Sequence, residues 1–188
     1  MAAESGVASR GRPKLAAAAL MLVAAGVTLA AFRGCDESSA GDAAVVRIAG
    51  QAFHLELALD DAKRIQGLSG RTHIDRDGGM LFAFAAPRTM YFVMRDCPIP
   101  IDILFLDPRG VVIAAHAMQP EEPRRADEPK PADPRAVADP YEERLRKYGS
   151  NFSAQFAVEL AGGRIKELGV KEGDRLSFDV DGLKRRAK

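Results

Sequence analysis

The chain has 188 residues, with 27 lysines and arginines against 26 acidic residues and a formal charge of +1, which is room for one ordinary domain with appendages. That balance supplies no strongly basic face, so a nucleic-acid partner is not expected. The composition is that of a globular protein, Ala-rich and slightly Pro-rich, and tryptophan is absent.

Residues 1–40 read as a targeting segment. Arg10, Arg12 and Lys14 precede eighteen uncharged residues, Leu15 to Phe32, a stretch of about 27 Å as a helix and long enough to cross a bilayer core. Positive charge on the N-terminal side keeps that end in the cytoplasm and sends the rest outward. Cys35 follows Gly34 where a bacterial lipoprotein signal places its lipidated cysteine, and Ser38 and Ala40 offer a small-x-small cleavage site. The expectation is a bacterial inner-membrane protein anchored through residues 15–32, or lipid-anchored at Cys35, with its domain in the periplasm or exterior. Cys35 and Cys97 read as independent cysteines, since their spacing does not establish a bridge.

From Val45 the pattern is β. "VVRI" and "AFHLELAL" flank an Ala49-Gly50-Gln51 turn, and in the second run Phe53, Leu55, Leu57 and Leu59 alternate with His54, Glu56 and Ala58, as in a half-buried strand. Asp60 or Asp61 caps a short helix, "DDAKRIQGL", and a turn-rich stretch leads into the strand "MLFAF". "TMYFVM" reads as a further core strand. "IDILFL" and "VVIAAHAM" read as a hairpin joined by Asp107-Pro108-Arg109-Gly110, with Pro at the second turn position and Gly at the fourth. "SAQFAVEL", a short helix or turn "GRIKELGV" and a strand "DRLSFDV" follow, with a basic tail at 184–188. The expected fold is mainly β: a single β-sandwich or barrel-like domain over residues 41–183, of about eight short strands and one or two short helices.

Residues 119–140 interrupt this rhythm with six prolines among charges of both signs, a composition that cannot bury enough apolar area to offset its ordering entropy. The stretch reads as an extended surface insertion reaching to residue 148, with Tyr141 and Leu145 on one side of a helical turn in "YEERLRKY".

Polar residues framed by apolar strands mark the candidate sites. Asp102 stands between Ile101 and Ile103; a buried carboxylate needs partners, and the expected ones are backbone N–H groups of the Pro98-Ile99-Pro100 loop. The alternative places Asp102 with Arg71, Arg95 and Asp96 in a narrow pocket for a small polar or anionic ligand. An enzyme reading makes Asp96 or Asp102 the acid or base of an envelope hydrolase with Cys97 nearby, activated by His73 or His116. A copper reading gathers Met80, Met90, Met94, Cys97, His73 and His116, because thioethers and a thiol suit Cu(I); the bland reading of those methionines is core filler. No zinc spacing, phosphate loop or nucleotide fingerprint is present, so no cofactor is expected.

The segments "RIQGLSGR" at 64–71, "GGMLFAF" at 78–84, "YFVMRDCPIPIDILFLDPRG" at 91–110, "FAVEL" with "AGG" at 156–163 and "LGVKEGDRL" at 168–176 resemble, in that order, the domain of unknown function family 192 (DUF192). The resemblance spans about Val45 to Val180. It implies a compact, mostly β domain, often behind a signal or anchor segment, and supplies a fold rather than a chemistry. Val93, Asp96, Cys97 and Ser69 stand where that family often has Trp, Asn, Thr and Met. The reading is a membrane-tethered β domain that binds a small ligand or an envelope partner, with its functional surface at Arg95–Pro100 and the neighbouring turn from Arg71 to Gly79.

Overall fold

A computed structural model describes residues 41–130 and 139–188. The targeting segment, with Cys35, and residues 131–138 of the insertion lie outside the described residues. No helix among the described residues is long and apolar enough to cross a membrane.

Strands β1 (Ala43–Ile48) and β2 (Gln51–Ala58) form the expected hairpin. Ala49 and Gly50 both have positive φ, 48° and 82°, the backbone that a tight two-residue hairpin turn requires. In β2 the alternation holds, with Phe53, Leu55 and Leu57 buried and His54 and Glu56 outside. Helix α1 (Asp61–Gln66) follows, capped by Asp60, whose side chain accepts from the Lys63 N–H at 2.9 Å. It is the crossover that lets β3 (Met80–Arg88) run parallel to β2, since parallel neighbours cannot be joined by a tight turn.

The main sheet has the order β1-β2-β3-β8-β5-β6, where β5 is Ile101–Leu106, β6 is Val112–Met118 and β8 is Ala154–Ala161. All six residues of β5 are buried, and so are all but the last of β8. These central strands are covered on both faces, so they read as continuous apolar runs rather than as alternation. One face carries Val46, Phe53, Leu55, Leu81, Leu104, Leu106, Phe156 and Val158. The other carries Phe82, Phe84, Met90, Met94, Ile101, Ile103 and Phe105.

The sheet closes on the first of these faces. Leu176 N–H donates to the Gly110 carbonyl at 3.0 Å and Gly173 N–H to that of Val112 at 2.9 Å, while Ser177 exchanges two hydrogen bonds with Arg47 of β1. One short segment therefore joins the sheet's two outer edges, giving a barrel-like body. The expected strand "DRLSFDV" is this connector, with two isolated bridge pairs in place of a ladder. Four short helices rather than one or two occur among the described residues: α1, α2 (Pro140–Arg144), α3 (Arg164–Leu168) and α4 (Val180–Arg186). Helix α4 runs from the end of the expected domain into the expected basic tail, taking in Lys184, Arg185 and Arg186, and buries Leu183 ahead of them.

"TMYFVM" also departs from expectation. Only Tyr91–Phe92 form a strand, β4, which pairs with β7 (Tyr148–Gly149) in a separate two-stranded sheet. Tyr91 is exposed while Met90 and Met94 are buried. The reason is topological: β5 already has β8 and β6 along its two edges, so no edge beside "IDILFL" remains for a further core strand. Met90 is held instead by Ser150, its carbonyl accepting the Ser150 N–H at 3.0 Å.

Gly79 fixes how closely β3 approaches β8. Its φ is 141°, and a Cβ there would lie 2.1 Å from the Glu159 carbonyl oxygen, a distance no side chain tolerates.

Candidate functional site

The loop after β4 is a junction. Asp96 adopts a left-handed φ of 52°, a conformation aspartate tolerates better than most residues. That turn aims its N–H at the Tyr141 hydroxyl, 2.9 Å away, and its carbonyl at the Gly70 N–H, 2.7 Å away. The Ser69 hydroxyl donates to the Arg95 carbonyl at 2.8 Å, and the Arg95 guanidinium donates to Glu142 and to the Ile65 carbonyl. Arg95 and Asp96 thus tie α1 and the turn after it to α2.

Asp102 serves neither this loop nor Arg71. It is buried, and its Oδ2 accepts the Ile165 N–H at 2.6 Å. Ile165 lies in the first turn of α3, whose N-cap is Gly163 and has no side chain to offer. Asp102 supplies from β5 the acceptor that a helix start ordinarily takes from its own cap. The expected donor was the Pro98–Pro100 loop; Asp102 faces away from it, on the side of Leu104 and Leu106. Arg71 is engaged by Glu56 through two hydrogen bonds of 2.5 and 2.7 Å. That bond, with charge attraction, holds its pKa above the ordinary arginine value against desolvation. Arg71, Arg95, Asp96 and Asp102 therefore do not share one pocket, and Arg71 lines a separate cavity of 470 Å³ with Glu56 and Lys63.

The insertion contributes more than surface. Arg124 pairs with Asp139 at 2.6 and 2.7 Å, and Arg144 holds Glu128 at 2.6 and 3.1 Å. Their guanidinium carbons lie 4.5 and 4.9 Å from the Tyr141 ring centre. The Arg144 bond, then the Arg125 N–H, lowers the Glu128 carboxyl to about 2. The Asp139 side chain caps α2 by accepting the Tyr141 N–H at 3.0 Å. This clamp presents Tyr141 and Glu142 to the loop.

Between α1, the end of β3, β4 and this loop lies a cleft of 290 Å³, near the lower end for small-ligand sites. Phe82, Phe84, Met90 and Phe92 give it apolar walls; Arg64, Arg88, Arg95 and Cys97 add polar ones. Arg88 reaches it because β3 breaks register against β8 between Ala83 and Arg88. Pro87 has no N–H to give to a ladder, and the Gln155 amide donates to the Phe84 and Ala85 carbonyls, at 3.1 and 3.3 Å, where ladder bonds are missing.

Glu159 of β8 lines the sheet side of this cleft. It is 6 % exposed, and its Oε2 is buried with no hydrogen-bond partner. Burial alone pushes its carboxyl up to about 8, so at neutral pH it is largely a neutral acid with an O–H to donate. Cys97 is close by. Desolvation first, then the Glu159 charge, pushes its thiol up to about 11, and its Sγ donates to the Arg95 carbonyl at 3.3 Å. It is a thiol rather than a thiolate at neutral pH, which removes the basis for nucleophilic attack.

The copper candidates separate by packing. Met80, Met90, Met94 and Cys97 belong to the apolar cluster with Phe82 and Phe105. The His116 Nε2 is 2.8 Å from the Gly149 carbonyl, and its ring lies between those of Phe105 and Tyr148. His73 is exposed beside Asp75. Among the described residues no three His, Cys, Asp or Glu side chains converge on a common point.

The sequence pattern of the DUF192 family, described as Uncharacterized ACR, matches residues 44–178. The chain belongs to DUF192. Two crystal structures are similar to this DUF192 domain. One, from Sinorhizobium meliloti 1021 and described as a candidate transcription regulator, is 29% identical, with a TM-score of 0.54 over 72% of this chain and 93% of that one. The other, a protein of unknown function from Novosphingobium aromaticivorans DSM 12444, is 25% identical, with a TM-score of 0.52 over 72% and 82%. No curated protein matches the chain.

Of the expected site residues, the DUF192 cleft keeps Arg95 and Cys97 and omits Arg71, Asp96 and Asp102. Sequence reasoning passed over Glu159, Arg64 and Arg88. Glu159 carried the same signal as Asp102, one acid inside an otherwise apolar strand, in "FAVEL".

Proposed function

We propose that the DUF192 domain is a binding module for a small polar ligand, held in the cleft over Glu159, and that the module is displayed outside the cytoplasm from its N-terminal anchor. The supporting observation is the buried, unpartnered Glu159 Oε2 on the wall of that cleft. A buried polar atom without a partner costs on the order of 1–3 kcal/mol, a cost that a ligand able to pair with it would offset. The apolar walls add burial for the rest of such a ligand. The transcriptional description is that of the S. meliloti protein and is left with it, since a formal charge of +1 offers no support for a DNA partner.

The anchor accords with residues 15–32, which carry no charge. Protease accessibility in spheroplasts tests that placement: digestion of the domain from outside is the expected result, and protection would remove it. The site is tested by a fragment library added to the full-length protein, with backbone amide resonances followed by NMR. Binders should move Arg64, Arg95 and Glu159 together. A library in which no compound moves them overturns the site.

A further inference from the structure

The cleft is unusual in what it leaves unpaired. Arg64 donates to the Ala83 carbonyl at 2.7 Å and to Asp61 at 2.9 Å, but its Nε is buried with no partner. The Arg88 guanidinium sits 4.5 Å from the Phe84 ring centre, and among the described residues no carboxylate reaches it. The other acids at the rim are committed, Asp61 to Arg64 and Glu142 to Arg95. One buried donor, the Arg64 Nε–H, and one cation without a carboxylate among the described residues, the exposed Arg88, therefore line the same small cleft as Glu159. Glu159 is the one buried acid there with an unmatched oxygen among the described residues; ionised it only accepts, and protonated it adds an O–H to donate.

Resting on the cleft being a ligand site, we infer that it takes small organic carboxylates, the head group received by Arg88, the Arg64 Nε–H and the Glu159 carboxyl, and the body packed on Phe82, Phe84 and Phe92. An acid–carboxylate contact and an arginine are charge-assisted donors, the strongest class of such bonds. The flat aromatic walls suit a planar or short apolar body. Charge decides against the nearest competitor. With Glu159 neutral the cleft holds, among the described residues, one cation without a carboxylate partner, Arg88, which a monoanion completes. With Glu159 ionised it holds one charge of each sign and would suit a zwitterion such as an amino acid. Burial pushes Glu159 up to about 8, so the first arrangement prevails at neutral pH. The charged and titratable groups around it are Arg64 and Asp61 on α1, Arg88 on β3, Tyr91 on β4, Arg95 and Cys97 on the loop, and Glu142 on α2. Cys97 remains a thiol through pH 9.

Four probes of one skeleton separate the classes: phenylacetate, neutral phenylacetamide, cationic phenethylamine and zwitterionic phenylalanine. Dissociation constants are measured on the full-length protein by NMR titration at pH 6.5 and pH 9. Phenylacetate should bind about tenfold more tightly than the other three at pH 6.5 and lose affinity at pH 9. Arg88→Gln should weaken it by about tenfold or more. Glu159→Gln cannot ionise, so it should remove the difference between the two pH values, whatever it does to the affinity itself. Tighter binding of phenylalanine or phenethylamine overturns the inference, as does an affinity indifferent to Arg88→Gln. Should Glu159→Gln fail to fold, the two pH values on the unaltered protein still decide. If none of the four moves a cleft resonance while another library compound does, the carboxylate class is overturned and the site stands.

Discussion

Replacing Glu159 with glutamine should make the protein more stable, and increasingly so as pH rises. The folded state keeps the Glu159 proton until about pH 8, whereas the unfolded chain releases it at the ordinary value of 4.5. Between those values the folded state binds more protons than the unfolded one, so stability falls as pH increases. The slope is about 1.4 kcal/mol per pH unit, and the accumulated loss by pH 8 is roughly 4 kcal/mol. Below pH 4.5 both states hold the proton and the effect vanishes. Glutamine is nearly isosteric and does not titrate. The assay is urea unfolding followed by far-UV circular dichroism, because the chain has no tryptophan, at pH 5, 6, 7 and 8. The gap between variant and parent should widen by roughly 3–4 kcal/mol from pH 5 to pH 8. Taking the difference between the two proteins cancels every other titrating group. A gap constant across that range would refute the reasoning, since it would mean that Glu159 ionises alike in both states.

Asp102→Ala should lower stability by about 1–3 kcal/mol, through the unpaired Ile165 N–H at the start of α3, and leave the affinity of any cleft ligand unchanged. An affinity loss beyond the stability effect would return Asp102 to the site. Tyr141→Phe removes the acceptor of the Asp96 N–H and should cost about 1 kcal/mol; calorimetric melting checks it, and an unchanged melting temperature would count against the junction. Arg144→Gln should let Glu128 titrate nearer 4.5 instead of about 2, read by carboxyl ¹³C shifts. The sign follows from the lowered folded value: the Glu128 contribution is complete above 4.5 and is lost as pH falls toward 2. Cys97 should react with iodoacetamide at pH 8 far more slowly than Cys97 of the urea-unfolded chain, since its thiol is both buried and pushed up; equal rates would contradict its burial.

Much of the fold was legible because local chemistry and tertiary structure agree. The β1–β2 turn, the Asp60 cap and the Asp107–Gly110 turn are short-range features, and each sits where its residues indicate. What local pattern could not reveal was pairing partners. "TMYFVM" is as apolar as a core strand, but sheet order leaves it no edge; "DRLSFDV" alternates like a strand, yet bridges two edges instead of joining one. The same limit governed the site. Asp102 and Glu159 are equally conspicuous as acids in apolar strands, and they lie on adjacent strands one residue out of register, Asp102 opposite Leu160 and Glu159 opposite Ile103. They point to opposite faces, so one finds a helix start and the other finds a cleft. A sheet's two-residue period makes that choice absolute, but which face holds a donor is a fact of tertiary structure.

The titration of the Glu159 carboxyl carbon, followed by ¹³C NMR in the full-length protein, tests the account most directly. In the free protein the midpoint should lie near 8, and saturation with a cleft-binding carboxylate should move it higher, because the ligand accepts a hydrogen bond only from the protonated acid. A midpoint between 4 and 5 that the ligand leaves in place, within the ordinary glutamate range, would contradict it.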